Sequence, residues 1–409
     1  MQTQIAERFR NTAQGRVADA ILRSCVHCGF CLATCPTYQL LGDELDSPRG
    51  RIYLIKQLLE GHAVTEKTRT HLDRCLTCRS CETTCPSGVQ YGRLLDIGRD
   101  LTEKHAGRAF RDALQRRALR TVLANPALFG PLLKLGRLIR PLLPAGLRNK
   151  IPPSRPAPNW PSTSHARRML VLEGCVQTAL APSINVSAAR VLDRLGISLI
   201  RARNAGCCGA LSYHINAQDE GLDYMRRNIN AWWPHLQNGI EAIVMTASGC
   251  GVMVKEYGHL LAADPQYAEK AVRISALTKD IVEILHAEQE ALSRLFKPAA
   301  VRGIRIAFHS PCTLQHGQKL TGAVEPILSA AGYELCPVPE AHLCCGSAGT
   351  YSILQPGLSQ QLLTNKIQAL ESGAPQQIVS GNIGCLVHLQ SGTSKRVRHW
   401  IELIEDALP

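Results

Sequence analysis

The sequence has no run of 18 apolar residues, so no transmembrane helix is expected. The stretch MQTQIAERFRNTAQGR lacks the apolar segment of a signal peptide and reads as a polar helix. Aromatic residues make up only 5% of the chain. That leaves few stacking platforms, so the formal net charge of +13 is not read as a nucleic-acid interface. Neither G-x-G-x-x-G nor a Walker loop occurs, and GCCGA and GSAGT are too short and follow the wrong pattern. No flavin or nucleotide site is expected in this chain. Acids are nearly missing from residues 108–150, where ten Lys/Arg stand against a single acid, Asp112.

Cysteine is abundant, at seventeen residues in 409. A chain this long, without a leader, does not read as a secreted disulfide scaffold. The cytosol is the expected compartment, where clustered thiols serve as metal ligands or redox groups. Residues 25–36 read CVHCGFCLATCP and residues 75–86 read CLTCRSCETTCP. In C-x2-C-x2-C-x3-C-P, three cysteines at intervals of three let one loop wrap three corners of an iron–sulfur cube. The fourth is turned toward a second cube. Two copies satisfy each other. Cluster 1 takes Cys25, Cys28, Cys31 and Cys85, and cluster 2 takes Cys75, Cys78, Cys81 and Cys35. Zinc sites use separated C-x2-C pairs, a poorer match. Two oxidised [4Fe-4S] clusters with their thiolates bring the charge to roughly +9, still basic. Gly29 lets backbone N–H groups approach sulfide, and His27 reads as a filler of the loop. Arg49 and Arg51 either offset cluster charge or are surface residues at a helix start.

Four regions follow along the chain. Residues 1–104 form a small helical di-[4Fe-4S] domain, with RIYLIKQLLE and LLDIGRDLTEK at helical spacing. Residues 105–165 form a basic, leucine-rich helical bridge, cut by prolines at 126, 131, 141 and 144, and a Pro/Ser-rich linker. Residues 166–300 and 301–409 are two copies of one unit. Cys175, Cys207, Cys208 and Cys250 return as Cys312, Cys344, Cys345 and Cys385, at offsets of 137, 137, 137 and 135. Short apolar runs alternate with helical patterns, which predicts parallel α/β units. Each repeated cysteine follows a predicted strand, at the sheet edge where ligands bind. Cys336 has no counterpart and reads as a core residue.

The tandem Cys-Cys-Gly resembles the cysteine-rich CCG domains of heterodisulfide reductases and several respiratory dehydrogenase subunits. In that family the pattern closes on C-x-x-C and can hold a noncubane four-iron cluster or zinc. Here the closing positions read Cys250-Gly-Val-Met253 and Cys385-Leu-Val-His388, so the last cysteine is missing in both repeats. The eight repeated cysteines are therefore candidates for an additional cluster or zinc, with Met253 and His388 as further ligands. The alternative is a fold kept after its metal was lost.

The whole arrangement resembles the iron–sulfur subunits of bacterial glycolate oxidases. The resemblance is carried by CVHCGFC, ATCPTYQLLGDELDSPRGRIYLIKQ, HLDRCLTCRSCETTCPSGV, LDRLGIS, TASGCG and HLCCGSAGTY, and it spans the full chain. It implies an α plus α/β architecture, with a helical two-cluster ferredoxin-like domain followed by two CCG domains. It implies two FAD-type flavoprotein partners, one oxidising glycolate or D-lactate to the 2-oxo acid. No catalytic residue is then expected here. This chain would pass electrons toward a membrane acceptor such as quinone, from the cytoplasmic face of the inner membrane. A thiol–disulfide enzyme of the heterodisulfide reductase type is the alternative, and the missing closing cysteines weigh against it. The basic bridge fits either an anionic membrane surface or a partner subunit.

Overall fold

A computed structural model describes residues 1–142, 151–154 and 158–409. Pro144, Arg148 and Lys150 of the basic bridge, and residues 155–157 of the linker, lie outside the described residues.

The first hundred residues form a helical layer around two cysteine loops. Helices α1 (Ala13–Ser24), α2 (Pro48–Leu59) and α3 (Tyr91–Ala106) carry it. Helix α2 starts where Ser47 accepts a hydrogen bond from Gly50 N and Pro48 occupies the first turn, a favourable start because proline has no N–H to leave unpaired. Leu22, Ile55, Leu59, Leu94 and Leu95 make its core. Gly98 of α3 permits close approach to α2, since a Cβ there would stand 2.6 Å from Ile55 Cγ1.

The bridge is a helical pair, α4 (Phe110–Leu123) and α5 (Pro126–Ile139), bent by 97°. Pro126 opens α5, as expected from the sequence, but Pro131 lies inside the helix rather than breaking it. Proline costs α5 one internal hydrogen bond without ending it. Helix α5 has no buried residue. Among the described residues no single helix is long and apolar enough to cross a membrane.

Each repeat is a four-stranded parallel sheet. The first has β1 (Arg167–Val171), β2 (Ile197–Arg201), β3 (Ile243–Met245) and β4 (Thr278–Asp280) in the order β2-β1-β3-β4. The second has β5 (Arg305–His309), β6 (Glu334–Leu335), β7 (Gln377–Ser380) and β8 (Arg396–His399) in the order β6-β5-β7-β8. Register matches as well, with Val171 opposite Val244 in the first repeat and Phe308 opposite Val379 in the second. The sequence reading found the first three strands of each repeat and missed β4 and β8. Both are short and polar, TKD and RVRH, so no apolar period marks them. A capping box follows each, at Asp280–Glu283 and His399–Glu402, and that is the legible sign of a strand-to-helix corner.

Candidate metal centres

The two cysteine loops share one backbone design. The third position of each is left-handed, at His27 (φ 56°) and Thr77 (φ 54°), and so is the fifth, at Gly29 (φ 88°) and Arg79 (φ 61°). Two such residues coil the chain so that the three leading thiols face one side. Glycine takes this conformation freely, whereas Arg79 is held in it by an ion pair with Glu256 of the first repeat.

Cys25, Cys28, Cys31 and Cys85 line one cavity, together with Cys81, Gly29, Arg49 and Tyr91. Cys35, Cys75, Cys78 and Cys81 line a second, with Thr37, Arg51 and Tyr91. Each expected foursome is thus gathered on one wall, and the fourth cysteine of each motif stands with the other motif's three. Counting their open mouths, the cavities hold about 440 and about 310 Å³ of atom-free space. Burial and neighbouring sulfurs push the Cys31 thiol up to about 11. Burial, with further sulfurs nearby, also raises the Cys78 and Cys81 thiols. Four ionised thiols in such a place need a cationic core, so the donor set fits iron–sulfur clusters.

Supporting side chains surround the loops; the sequence points to Arg49 and Arg51 but not to Tyr91 or Arg99. Arg51, only 1% exposed, donates to His71 O at 2.7 Å and Thr37 Oγ1 at 3.1 Å and pairs with Asp46 at 3.2 Å. It is therefore a buried cation on the second cavity's wall, not a surface residue. Arg49 lines the first cavity and pairs with Glu44 at 2.7 Å. Cys75 Sγ accepts from Thr77 N at 3.4 Å and from Tyr91 Oη at 3.6 Å. Arg99 fixes the same loop through Leu72 O at 2.9 Å and Cys75 O at 2.7 Å. Apart from Thr77, none of these residues lies within the cysteine motifs, and the fold brings them there. Nε2 of His27 is buried without a hydrogen-bond partner.

In both repeats the four cysteines converge at the C-terminal ends of the strands. Cys175 and Cys208 each hydrogen-bond Cys207, and Cys208 also meets Cys250. Sharing protons this way raises Cys175 and Cys208 and lowers Cys207, the acceptor between them. In the second repeat Cys312 Sγ lies 3.9 Å from Cys344 Sγ, and Cys345 hydrogen-bonds Cys344 and Cys385. His388 spends Nε2 on Ser359 Oγ at 3.2 Å, while Met253 is buried in the apolar core beside Ile229 and Trp232. Cys336 is buried, with Sγ donating to Gly373 O at 3.3 Å.

The second repeat adjoins the second cavity. Cys78 and Leu76 share an apolar cluster with Cys344, Tyr351 and Leu362. Tyr351 Oη donates to Arg74 O at 3.0 Å, and Thr83 Oγ1 meets His316 Nδ1 at 2.9 Å. The first motif's loop faces outward instead, with Cys28 exposed, Val26 67% exposed and Phe30 63% exposed.

Residues 21–89 match the family model described as a 4Fe-4S dicluster domain, and residues 169–255 and 306–390 match that of a cysteine-rich domain. The chain is 57% identical to the glycolate oxidase iron-sulfur subunit of Escherichia coli (strain K12), over 100% of this chain and 99% of that one. It is 28% identical to the probable glycolate oxidase iron-sulfur subunit of Bacillus subtilis (strain 168), over 95% and 93% of the two chains. Lactate utilization protein A of Geobacillus thermodenitrificans (strain NG80-2) is 27% identical over 56% of this chain and 95% of its own length.

Proposed function

The chain belongs to the family of glycolate oxidase iron–sulfur subunits, and on that premise we propose that it is the electron relay of a glycolate dehydrogenase complex. The observation that carries the reading is the pair of adjoining cavities with crossed thiol sets. Cys25, Cys28, Cys31 and Cys85 would hold cluster 1, and Cys75, Cys78, Cys81 and Cys35 would hold cluster 2. When bound, the two [4Fe-4S] clusters supply one-electron chemistry. The chain's residues hold and tune them. The N–H of Thr77 and the hydroxyl of Tyr91 reach Cys75 Sγ, and the Arg51 guanidinium balances negative charge beside cluster 2.

Two flavoprotein subunits complete the complex, and one of them oxidises glycolate, or D-lactate, to the 2-oxo acid. The exposed loop around Val26 and Phe30 would present cluster 1 to that partner. Cys35, Cys75, Cys78 and Cys81 would hold cluster 2 on the inner side, where it would supply one-electron chemistry toward a membrane acceptor such as quinone. Docking falls to the bridge, where Phe110, Leu114, Leu132, Leu135, Leu138 and Leu142 are each half exposed or more. Arg111, Arg117 and Lys134 are exposed among them. An apolar face with basic flanks suits the cytoplasmic, anionic side of the inner membrane.

Anaerobic purification with iron and sulfide counts tests the core of this. About eight irons per chain are expected from two four-iron clusters. The isolated chain should not oxidise glycolate, and full activity should return on adding the flavoprotein subunits. Absence of iron, or turnover by the flavin-free chain alone, would sink the reading.

A further inference from the structure

The two repeats differ at two matching positions. Three residues before the first cysteine stands Leu172 in the first repeat and His309 in the second. Five residues before the last cysteine stands Met245 in the first and Ser380 in the second. Leu172 and Met245 are buried in an apolar core. His309 is equally buried, at 2% exposure, and closes strand β5. Its Nδ1 lies 2.9 Å from Ser380 Oγ, and its Nε2 is buried with no hydrogen-bond partner. An imidazole nitrogen left unpaired inside a protein costs free energy, so it calls for a partner the protein chain does not supply. A ring nitrogen of His309 and the sulfurs of Cys345 and Cys385 all lie within 4.8 Å of one another. Thiolates about 2.3 Å from a tetrahedral zinc ion stand roughly 3.8 Å apart. Small side-chain shifts close that gap.

We propose that the second repeat binds a metal ion of the zinc class through His309, Cys345 and Cys385. Ser380 is the positioning residue: it engages Nδ1 and so leaves Nε2 to the metal, as the outer partners of metal-bound imidazoles do. The imidazole takes the place of the closing thiol that both repeats lack. A mixed nitrogen and sulfur set selects zinc over calcium or magnesium, which take oxygen. Three protein donors would leave one coordination position open, and Cys344 neighbours Cys345. The first repeat has no imidazole at this place and does not form the same site. This inference is independent of the substrate and partner reading above.

The test is elemental analysis of the full chain, purified anaerobically with its clusters from zinc-supplemented medium, joined to X-ray absorption at the zinc edge. The wild type should carry about one zinc per chain with mixed nitrogen and sulfur ligation. His309→Ala should lose the zinc while the iron stays at about eight, which shows that the chain still folds. His309→Cys, which restores a donor, should keep the zinc with sulfur-only ligation. Wild-type protein without zinc, or His309→Ala retaining zinc with an unchanged edge, would overturn the proposal. So would an iron count near twelve with no zinc, which would place an iron cluster there instead.

Discussion

Asp46 is fully buried and accepts from Arg51 at 3.2 Å and Arg74 at 2.8 Å, with His71 Nδ1 also 3.2 Å away. Its backbone oxygen accepts from Thr37 Oγ1 at 2.9 Å, and Thr37 in turn meets Cys35 Sγ at 3.3 Å. This network therefore reaches Cys35, the cysteine that the proposed assignment lends from the first motif to cluster 2. Arg51→Met leaves a buried carboxylate short of a partner, which typically costs about 3–5 kcal/mol. The expected result is a lower unfolding temperature and preferential loss of about four of about eight irons. Thermal scans with iron counts check it, and equal loss from both clusters would refute the link to Cys35. Cys35→Ser should likewise remove the cluster of the second motif and spare that of the first, read by electron paramagnetic resonance of the reduced chain. At this scale the gathering of the cysteines into two cavities was legible, because their spacing coils each motif around its thiols. Asp46, Tyr91 and Arg99 were not, because nothing local distinguishes them from ordinary helix residues.

At the scale of elements, the bridge and the capping corners show what sequence patterns can and cannot say. The ten cations of residues 108–150 suggested an outward basic surface. Part of that charge is internal. Arg108 pairs with Asp73 at 2.7 Å and Arg116 with the same carboxylate at 3.0 Å, while Arg120 meets Glu220 at 2.9 Å. What remains outward is the leucine face, with Arg111, Arg117 and Lys134 exposed beside it. Replacing Leu132, Leu135 and Leu138 of α5 by serine should lower flotation with anionic liposomes at least tenfold while the iron content holds. Unchanged flotation would assign α5 to a protein partner. The corner after β8 should be sensitive to acid. His399 Nε2 meets Thr246 O at 2.9 Å and Nδ1 accepts from Ile401 N at 3.2 Å, so the neutral ring is the one that fits. Burial holds the His399 pKa down at about 4, partly offset by Glu402. The unfolded chain takes up that proton near pH 6.5. His399 therefore stabilises the fold fully above about pH 6.5, and this is lost as pH falls toward 4. The loss is on the order of 1–3 kcal/mol. His399→Asn, which keeps a cap acceptor, should flatten the fall of melting temperature between those pH values. A profile as steep as the wild type's would show that another group titrates.

At the scale of the whole molecule, the sequence reading drew two separate repeats, and the structure gives them one continuous core. Val171, Ile184 and Leu192 of the first repeat share it with Phe308, Trp400 and Leu403 of the second. Polar contacts cross as well. Ser183 Oγ donates to Glu402 Oε1 at 2.7 Å, Gly249 N to Asn382 Oδ1 at 3.2 Å, and Gln318 Nε2 to Asp280 Oδ2 at 3.0 Å. Duplication was legible from constant offsets. The shared core was not, because an apolar face in sequence does not name the face that covers it. The helical layer is then seated on both repeats, through Asp96 with His214 of the first at 3.1 Å and Thr83 with His316 of the second at 2.9 Å. Such a molecule should open as one unit. Trp400 is 1% exposed and stacks at 6.0 Å on His399 within that core. Trp400→Ala should cost about 3–5 kcal/mol. Because the core is common, amide exchange should quicken in β1 and β3 as much as in β5 and β7, with a single calorimetric transition moved to lower temperature. Independent repeats would instead give two transitions, with protection in β1 and β3 left at its wild-type level.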